Sequence, residues 1–505
     1  MGSPFLDILR YNFSGQLGSR LITFLINSYL VRHVSINLLG LLNVRMTLLY
    51  TTIGFLVREP FRKACLSSDL NTKEARKYAL LSVPFSVFIS VVFSSIWFLL
   101  KSPESEYDSE YSTLILVYGG SALLETLVEP CAIFALKTGH HGLFSFAQSV
   151  LTLLQRLIAF VLIVGTNVDH IKAFCIAQII GSVAYTLIYL VRYWSMKYPK
   201  MEEDFEPKFK RHYLKLLLTV IFHSLLKQAL TDGAGYVMVF TNVLSLKIQA
   251  VYDVIERLGS LATRLILAPL EESAFIYFSS HLNRGGIDSQ GSQSSLKKVS
   301  ETYFNLLRIV INLGIVVLVF GIPYSSIVVK LYGGDILVEN QGHKMLDLYL
   351  VYLLVMAING ITECFAFASM GSNEILSHGG FLFFSFIVHL TLNLVLSNTI
   401  GAYGFIVANC INSALRIAFN IHYISKFMQS AMPSLTTVCP SFQLVLTLFL
   451  NLVIILVSSA IFGAPPGDFL HICAHVAIGG VLFLGVSVYL YQHEQLFSPI
   501  LEKQD

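Results

Sequence analysis

The sequence predicts an all-α polytopic membrane protein of about 14 transmembrane helices, built as two pseudo-symmetric six-helix lobes plus two C-terminal helices. Three observations predict it. Hydrophobic residues make up 55% of the 505 positions against 13% charged, with a mean hydropathy of +0.68. Apolar runs recur at the length that crosses a bilayer, and motifs repeat in the same order in the two halves of the chain.

The apolar runs lie near 13–34, 38–61, 78–100, 112–136, 143–165, 171–192, 213–241, 248–279, 302–322, 346–370, 379–399, 402–424, 440–462 and 469–491. Each is long enough for roughly 30 Å of hydrocarbon, about 20 residues of helix. An even number of spans puts both termini on one side. The loops on that side carry Arg62, Lys63, Lys73, Arg76 and Lys77, then Lys197, Lys200, Lys208, Lys210 and Arg211, then Arg284, Lys297 and Lys298. The opposite loops carry few lysines and the acidic "ESEYDSEY" of 104–111, read as a solvated loop. The excess of positive charge therefore predicts cytosolic termini. The sequon at Asn12 then faces the cytosol and goes unused.

The polar stretch "MKYPKMEEDFEPKFKRHY" (196–213) divides the repeat. "AFCIAQIIGS" (173–182) resembles "GFIVANCINS" (404–413), "REPFRKA" (58–64) parallels "APLEESA" (268–274), and "LVEPCAIFA" (127–135) parallels "ITECFAFAS" (361–369). This spacing predicts a six-helix lobe over 1–195, a cytosolic linker over 196–212, a second six-helix lobe over 213–426, and two additional helices with a cytosolic tail over 427–505. Internal repeats of this kind mark transporters, whose substrate path runs between them.

Charges inside the spans locate candidate functional residues. An arginine central in a membrane helix costs roughly 2.5–3.5 kcal/mol on insertion scales, far more than one apolar residue returns. Arg20, Arg45 and Lys227 lie too deep to reach the interface easily, so they should face protein or a watery cavity. Arg20 and Arg58 belong toward the cytosolic face, and Arg32 and Arg45 toward the other. Arg32 has a simpler reading as a side chain that snorkels, Arg62 and Lys63 as boundary markers, and Glu59 with Lys63 as an i,i+4 pair. Glu125 and Glu129, four apart, repel each other unless a cation or proton intervenes, and Glu363 holds the corresponding place in the second half. At 100° per residue Asp253, Arg257, Arg264 and Glu271 fall within about 40° of one stripe, either lining a cavity or forming ion pairs between helices. The glycines of "TDGAG" (231–235) allow a bend, and Pro60, Pro130 and Pro269 are candidate kinks.

Other chemistries are excluded or unsupported. A net charge of +3 is too small for a nucleic-acid partner, and the seven cysteines show no CxxC or metal spacing. His471 and His475 in "HICAH" have metal spacing but no third ligand, so they are read as core or interface histidines. Without a GxxxxGK[ST] loop the chain cannot use ATP through a P-loop, and no paired-carboxylate loop or triad points to an enzyme. No cofactor is expected. A basic cleft suits an anionic substrate, and guanidinium groups suit phosphate because they offer planar paired donors. For an amphipathic phospholipid the same geometry would let the head cross in the cavity while the tail stays in the bilayer.

"RLITFLINSYLVR" (20–32), "NVRMTLLYTTIGFLVREPFRKACL" (43–66), "LLKQALTDGAGYVM" (225–238), "YDVIERLGSLATRLILAPLEES" (252–273), "NGITECFAFASM" (359–370) and "GFIVANCINSALRI" (404–417) resemble the Rft-type oligosaccharide translocation proteins of the endoplasmic reticulum. The resemblance runs from Arg20 to about Ile424; the last two spans fit by position only. It implies the superfamily of multidrug, oligosaccharidyl-lipid and polysaccharide exporters, with its two lobes in a V and alternating access. It also implies a substrate and compartment: dolichyl-diphosphate-linked heptasaccharide, moved from the cytosolic to the lumenal leaflet of the endoplasmic reticulum for N-glycosylation. By motif, Arg20, Arg32, Arg45, Arg58, Arg62, Lys227 and Arg264 become candidates for diphosphate or sugar binding, and Glu363 for gating or sugar contact. Glu125, Glu129, Asp253 and Arg257 join Glu363 from the charge pattern. Some relatives have Ala at Pro60, which weakens that kink as a mechanistic element. Two other roles stay open: an accessory glycolipid-binding factor of the same pathway, and a cation-coupled small-molecule exporter of the same fold. The sequence names membrane lipid as surroundings but no protein partner.

Overall fold

A computed structural model describes residues 22–66, 72–100, 102–195, 211–282, 292–428, 438–462 and 469–493. Its regular elements are helical throughout, and 12 helices are long and apolar enough to cross a membrane. Two further expected spans are helical but stand outside that set. The first is described only over 22–33, and the run near 248–279 carries Asp253, Glu256, Arg257, Arg264, Glu271 and Glu272 among its apolar residues. The protein is a multi-pass membrane protein with two compact units, Met1–Ala250 and Val251–Asp505.

In the first unit the helices are α1 (22–33), α2 (Ile36–Cys65), α3 (Glu74–Leu99), α4 (Ser105–Lys137), α5 (Gly142–Gly165) and α6 (His170–Ser195), then α7 (Arg211–Thr231) and α8 (Gly233–Thr241). The most apolar stretch of α2 is 67% buried, against 22% in α3 and 17% in α5. α2 is therefore the central helix, packed by α3, α4 and α7, while the others turn an apolar face outward as lipid requires. Ser35 caps α2 by accepting from Leu38 N–H. Leu41–Met46 form a π turn into which Thr47 Oγ1 donates, to Leu42 O at 2.9 Å. Pro60 sits inside α2. Pro130 instead starts the last part of α4, where the helix breaks at Val128 and a missing N–H costs nothing. The bend expected at "TDGAG" is a break at Asp232 between α7 and α8.

The second unit contains most of α9 (Leu246–Ala262) and then α10 (Ala268–His281), α11 (Ser292–Gly333), α12 (Gly342–Ser369), α13 (Ser372–Ile400), α14 (Tyr403–Met428), α15 (Phe442–Phe462) and α16 (Phe469–His493). A second π turn, Thr263–Leu267, joins α9 to α10, and Pro269 follows it in the first turn of α10. The core gathers Phe278, Tyr303, Phe304, Ile361 and Phe365, with the Phe365 ring 5.2 Å from Phe278 and 4.9 Å from Tyr303. α15 and α16 pack on α11 through Val316, Leu444, Leu448, Val486 and Leu490. His475 is buried in that contact: Ser458 Oγ lies 2.8 Å from its Nδ1, and Tyr324 stacks on it at 4.5 Å. It is an interface histidine, while His471 stands against Phe462.

Candidate functional site

Four charged residues in the last turns of α2 fall on two adjacent faces. Arg58 and Arg62 stand one turn apart, as do Glu59 and Lys63, and the two pairs are rotated by about 100°. Each face meets a different part of the first unit.

The arginine face meets α4 and α6. Arg58 donates to Glu125 Oε2 at 2.7 Å and its Nε lies 3.8 Å from Glu129. Arg62 donates through two nitrogens to the two oxygens of Glu129, at 2.5 and 2.8 Å. Both carboxylates are fully buried. Glu125 also accepts from Tyr50 O–H, at 2.7 and 2.8 Å, and from Ser182 Oγ at 2.7 Å. Ring faces complete the surroundings: Arg58 lies 5.1 Å from the Tyr185 centroid and Arg62 4.7 Å from that of Phe144. The cation that relieves Glu125–Glu129 repulsion is thus a pair of arginines with the same i,i+4 spacing on the facing helix. The quartet is electrically neutral, and its two-nitrogen pairing is the geometry that lets a buried ion pair repay its desolvation.

The other face of α2 meets α7. Glu59 Oε1 accepts from Lys63 Nζ at 2.9 Å and from Lys227 Nζ at 3.0 Å. Lys227 also lies 5.5 Å from the Phe55 ring centroid. Nearby, Thr52 Oγ1 and Tyr236 O–H share a hydrogen bond of 2.6 Å. The lysine side chains are 46% and 48% exposed. This trio carries one net positive charge and is open, whereas the quartet carries none and is closed.

Arg45, in the π turn of α2, is fully buried. Its guanidinium donates to Asn242 Oδ1, and its carbonyl accepts from Trp97 Nε1 at 3.2 Å. Asn242 takes a left-handed conformation, φ 52°, at the end of α8, a position where a short polar side chain is favoured. Gly40 approaches the Leu246 backbone so closely that a Cβ would lie 2.1 Å from its carbonyl oxygen. Arg45 and Gly40 together pin the chain where α8 passes to α9.

In the second unit Arg257 donates to Asp253 at 2.8 Å, a pair within α9. Glu271, beyond the π turn, lies against α12: a Cβ on Gly360 would sit 1.8 Å from its carboxylate oxygen. Glu363 on α12 accepts from Arg416 at 2.6 and 2.5 Å and from Asn359 at 3.1 Å. Glu271 and Glu363 line a cavity of about 490 Å³ with Phe275, Cys364 and Phe367.

Residues 6–503 match the family described as Rft protein. The chain belongs to the Rft family. It is 37% identical to the Man(5)GlcNAc(2)-PP-dolichol translocation protein RFT1 of Caenorhabditis elegans, over 98% of this chain and 97% of the relative. The Xenopus tropicalis protein of the same name is 32% identical over 93% and 91%, and the Mus musculus one 32% over 82% and 81%. Among solved structures, lipid II flippase MurJ in an inward closed conformation matches with a TM-score of 0.67 at 13% identity, covering 95% of this chain and 99% of that one. An inward-facing multidrug resistance MATE family transporter of the MOP superfamily matches at 0.62 and 13% identity, over 81% and 95%. At such identities these likenesses establish the fold.

Within this Rft-family chain, Arg58 and Arg62 come together with Glu125 and Glu129, Lys227 meets the other face of α2 at Glu59, and Glu363 and the Asp253–Arg257 pair belong to the second unit. Arg32 is exposed on α1. Arg20 and the side chain of Arg264 lie outside the described residues. Sequence reasoning missed Arg416, a charge alone in the apolar middle of its span, and the long-range role of Glu59. It also missed Tyr50, Ser182 and Asn242, neutral residues whose part is visible only once their helices are packed.

Proposed function

We propose that this protein carries dolichyl-diphosphate-linked heptasaccharide from the cytosolic to the lumenal leaflet of the endoplasmic reticulum membrane, supplying protein N-glycosylation. The observation that carries the reading is the near-full-length identity to proteins named for Man(5)GlcNAc(2)-PP-dolichol translocation. The likeness of fold to a lipid II flippase is consistent with a lipid-linked oligosaccharide as cargo. On this reading two six-helix lobes, 1–195 and 213–426, alternate access about the linker 196–212, both termini stay cytosolic, and 427–505 adds the last two helices.

The charge distribution refines which residues take the head group. Arg58 and Arg62 already have carboxylate partners, so their first task is to hold α2 against α4. Net positive charge in an accessible position rests on Lys63 and Lys227, with Arg20, Arg32 and Arg264 the further basic candidates. Arg45, closed off behind Asn242, acts by positioning the α8–α9 junction. Glu271 and Glu363, acceptors beside aromatic rings, suit sugar hydroxyls. Transport needs no enzyme chemistry in this scheme.

The test is reconstitution of the purified chain in proteoliposomes with labelled dolichyl-diphosphate heptasaccharide, following how fast the glycan becomes accessible from the opposite face. Acceleration that disappears in Lys227→Ala supports the translocase. Tight glycolipid binding without acceleration would refute it in favour of an accessory binding factor.

A further inference from the structure

The Lys63–Glu59–Lys227 trio holds an unusual arrangement: one carboxylate oxygen takes two ammonium groups from two different helices. Glu59 is the less exposed member at 25%, so the carboxylate lies beneath two more accessible cations. Glu59 is also the residue of α2 next to Arg58, whose quartet fixes this part of the helix through buried bonds to α4. The carboxylate therefore has a rigid base, and Lys227 reaches it from α7, donating to Glu59 and lying against the Phe55 ring.

An oxygen anion between two ammonium groups is the chemistry a phosphate oxygen would supply. We propose that Glu59 is a built-in stand-in for the phosphate oxygen of the substrate head group. It keeps Lys63 and Lys227 poised while the site is empty, and yields them when a diphosphate arrives. This rests on the reading above that the cargo carries a diphosphate. Each ammonium exchanges one oxygen anion for another, the Glu59 carboxylate gives up both its partners, and the tie between α2 and α7 opens in the same step. When the head group departs, Glu59 recovers both lysines, which speeds release. Glu59 is in these terms a positioning residue: it touches the lysines and sets how tightly they hold the anion.

The variant Glu59→Gln keeps the size of the side chain and removes the competing charge. Two exposed ion pairs contribute together about 1 kcal/mol, so the lysines should bind a diphosphate about fivefold more tightly in the variant. Two measurements on the full-length chain in nanodiscs read this. First, acylation of Lys63 and Lys227 by an amine reagent, quantified by mass spectrometry, is titrated with inorganic diphosphate. Half-protection should move to about fivefold lower diphosphate in Glu59→Gln, and back in Glu59→Gln combined with Lys227→Gln for the remaining Lys63. Second, in the proteoliposome assay Glu59→Gln should lower both KM and kcat for the glycolipid, because capture tightens while release slows.

A purely structural Glu59 would lower the unfolding temperature and leave the half-protection concentration and KM where they are. That result, or weaker protection in Glu59→Gln, overturns the proposal. Inorganic diphosphate protection that shifts as expected while wild type moves no glycolipid would sink the transport reading alone and leave the role of Glu59 standing.

Discussion

Glu129 has no exposure to solvent, accepts from two nitrogens of Arg62 and lies 3.8 Å from Arg58. Replacing it with Gln keeps the volume, removes the charge, and leaves one guanidinium facing a neutral amide at a buried site. Breaking a buried pair in this way costs about 3–5 kcal/mol, most of it the uncompensated charge left behind. Arg62 is 17% exposed, so water reaches part of it and the lower figure, about 3 kcal/mol, applies. Removing both charges in Arg62→Met with Glu129→Leu should cost about 1–2 kcal/mol at most, because an apolar pair needs no compensation. With Arg62→Met and Glu129→Leu each costing about 3 kcal/mol alone, the cycle built on those two substitutions shows a coupling of about 4 kcal/mol. The assay is unfolding of the purified chain in mixed micelles, followed by helical circular dichroism. A loss below about 0.5 kcal/mol in Glu129→Gln, or additive single variants, would refute the quartet as the clamp between α2 and α4, since an exposed pair shows that behaviour.

Gly360→Ala would place a methyl group 1.8 Å from the present position of the Glu271 carboxylate oxygen, the flexible end of that side chain, which must swing aside; a loss of about 1 kcal/mol, the low end for overpacking, is expected, and Glu271→Ala in the same chain should restore most of it in the same unfolding assay. Asn242→Ala removes the acceptor of the buried Arg45 and strains a residue at φ 52°, so a loss of about 2–3 kcal/mol is expected. Asn242→Gly, which relieves only the strain, should lose about 1 kcal/mol less. Salt separates the two charged faces of α2: raising ionic strength to about 1 M, where screening acts over roughly 3 Å, should weaken diphosphate protection of Lys63 and Lys227 severalfold and leave the unfolding transition of the quartet unmoved.

How much of this was legible depends on whether a feature is written locally. The matched i,i+4 spacings of Arg58/Arg62 and Glu125/Glu129 are in the sequence, as is the requirement for a cation beside the two glutamates. Which cation meets them is set by the facing of α2 and α4, which no spacing within one helix contains. Glu59 was legible as the partner of Lys63, four residues on, while its bond to Lys227 spans 168 positions. The stripe of Asp253, Arg257, Arg264 and Glu271 assumed one unbroken α-helical period. The π turn at Thr263–Leu267 shifts the register beyond it, so Glu271 reaches α12, while Asp253 and Arg257, both ahead of the turn, pair four residues apart within α9. Arg45 shows the same limit in another form. Its depth was readable from sequence, but that the guanidinium is enclosed depends on Trp97 and Asn242, from α3 and the end of α8.

The opposite characters of the two faces of α2 follow from one constraint. On the proposed reading α2 presents cations to a passing anion, and such a helix cannot leave every cation free, because each unpaired charge destabilises its insertion. Pairing every cation, in turn, leaves nothing for the anion. Here the arginines, whose planar fork suits two-point bonding, are committed to buried glutamates and fix the helix. The lysines, compact charges on flexible stems, share one carboxylate and keep a net charge in reach of solvent. The second unit also commits arginines to carboxylates, Arg416 to Glu363 on α12 and Arg257 to Asp253, but the group it leaves facing the cavity is an acceptor, Glu271. Exchange of Lys63 and Lys227 for arginine would therefore not be conservative: forked donors would lock onto Glu59 at two points, and a diphosphate would have to break a stronger pair to enter.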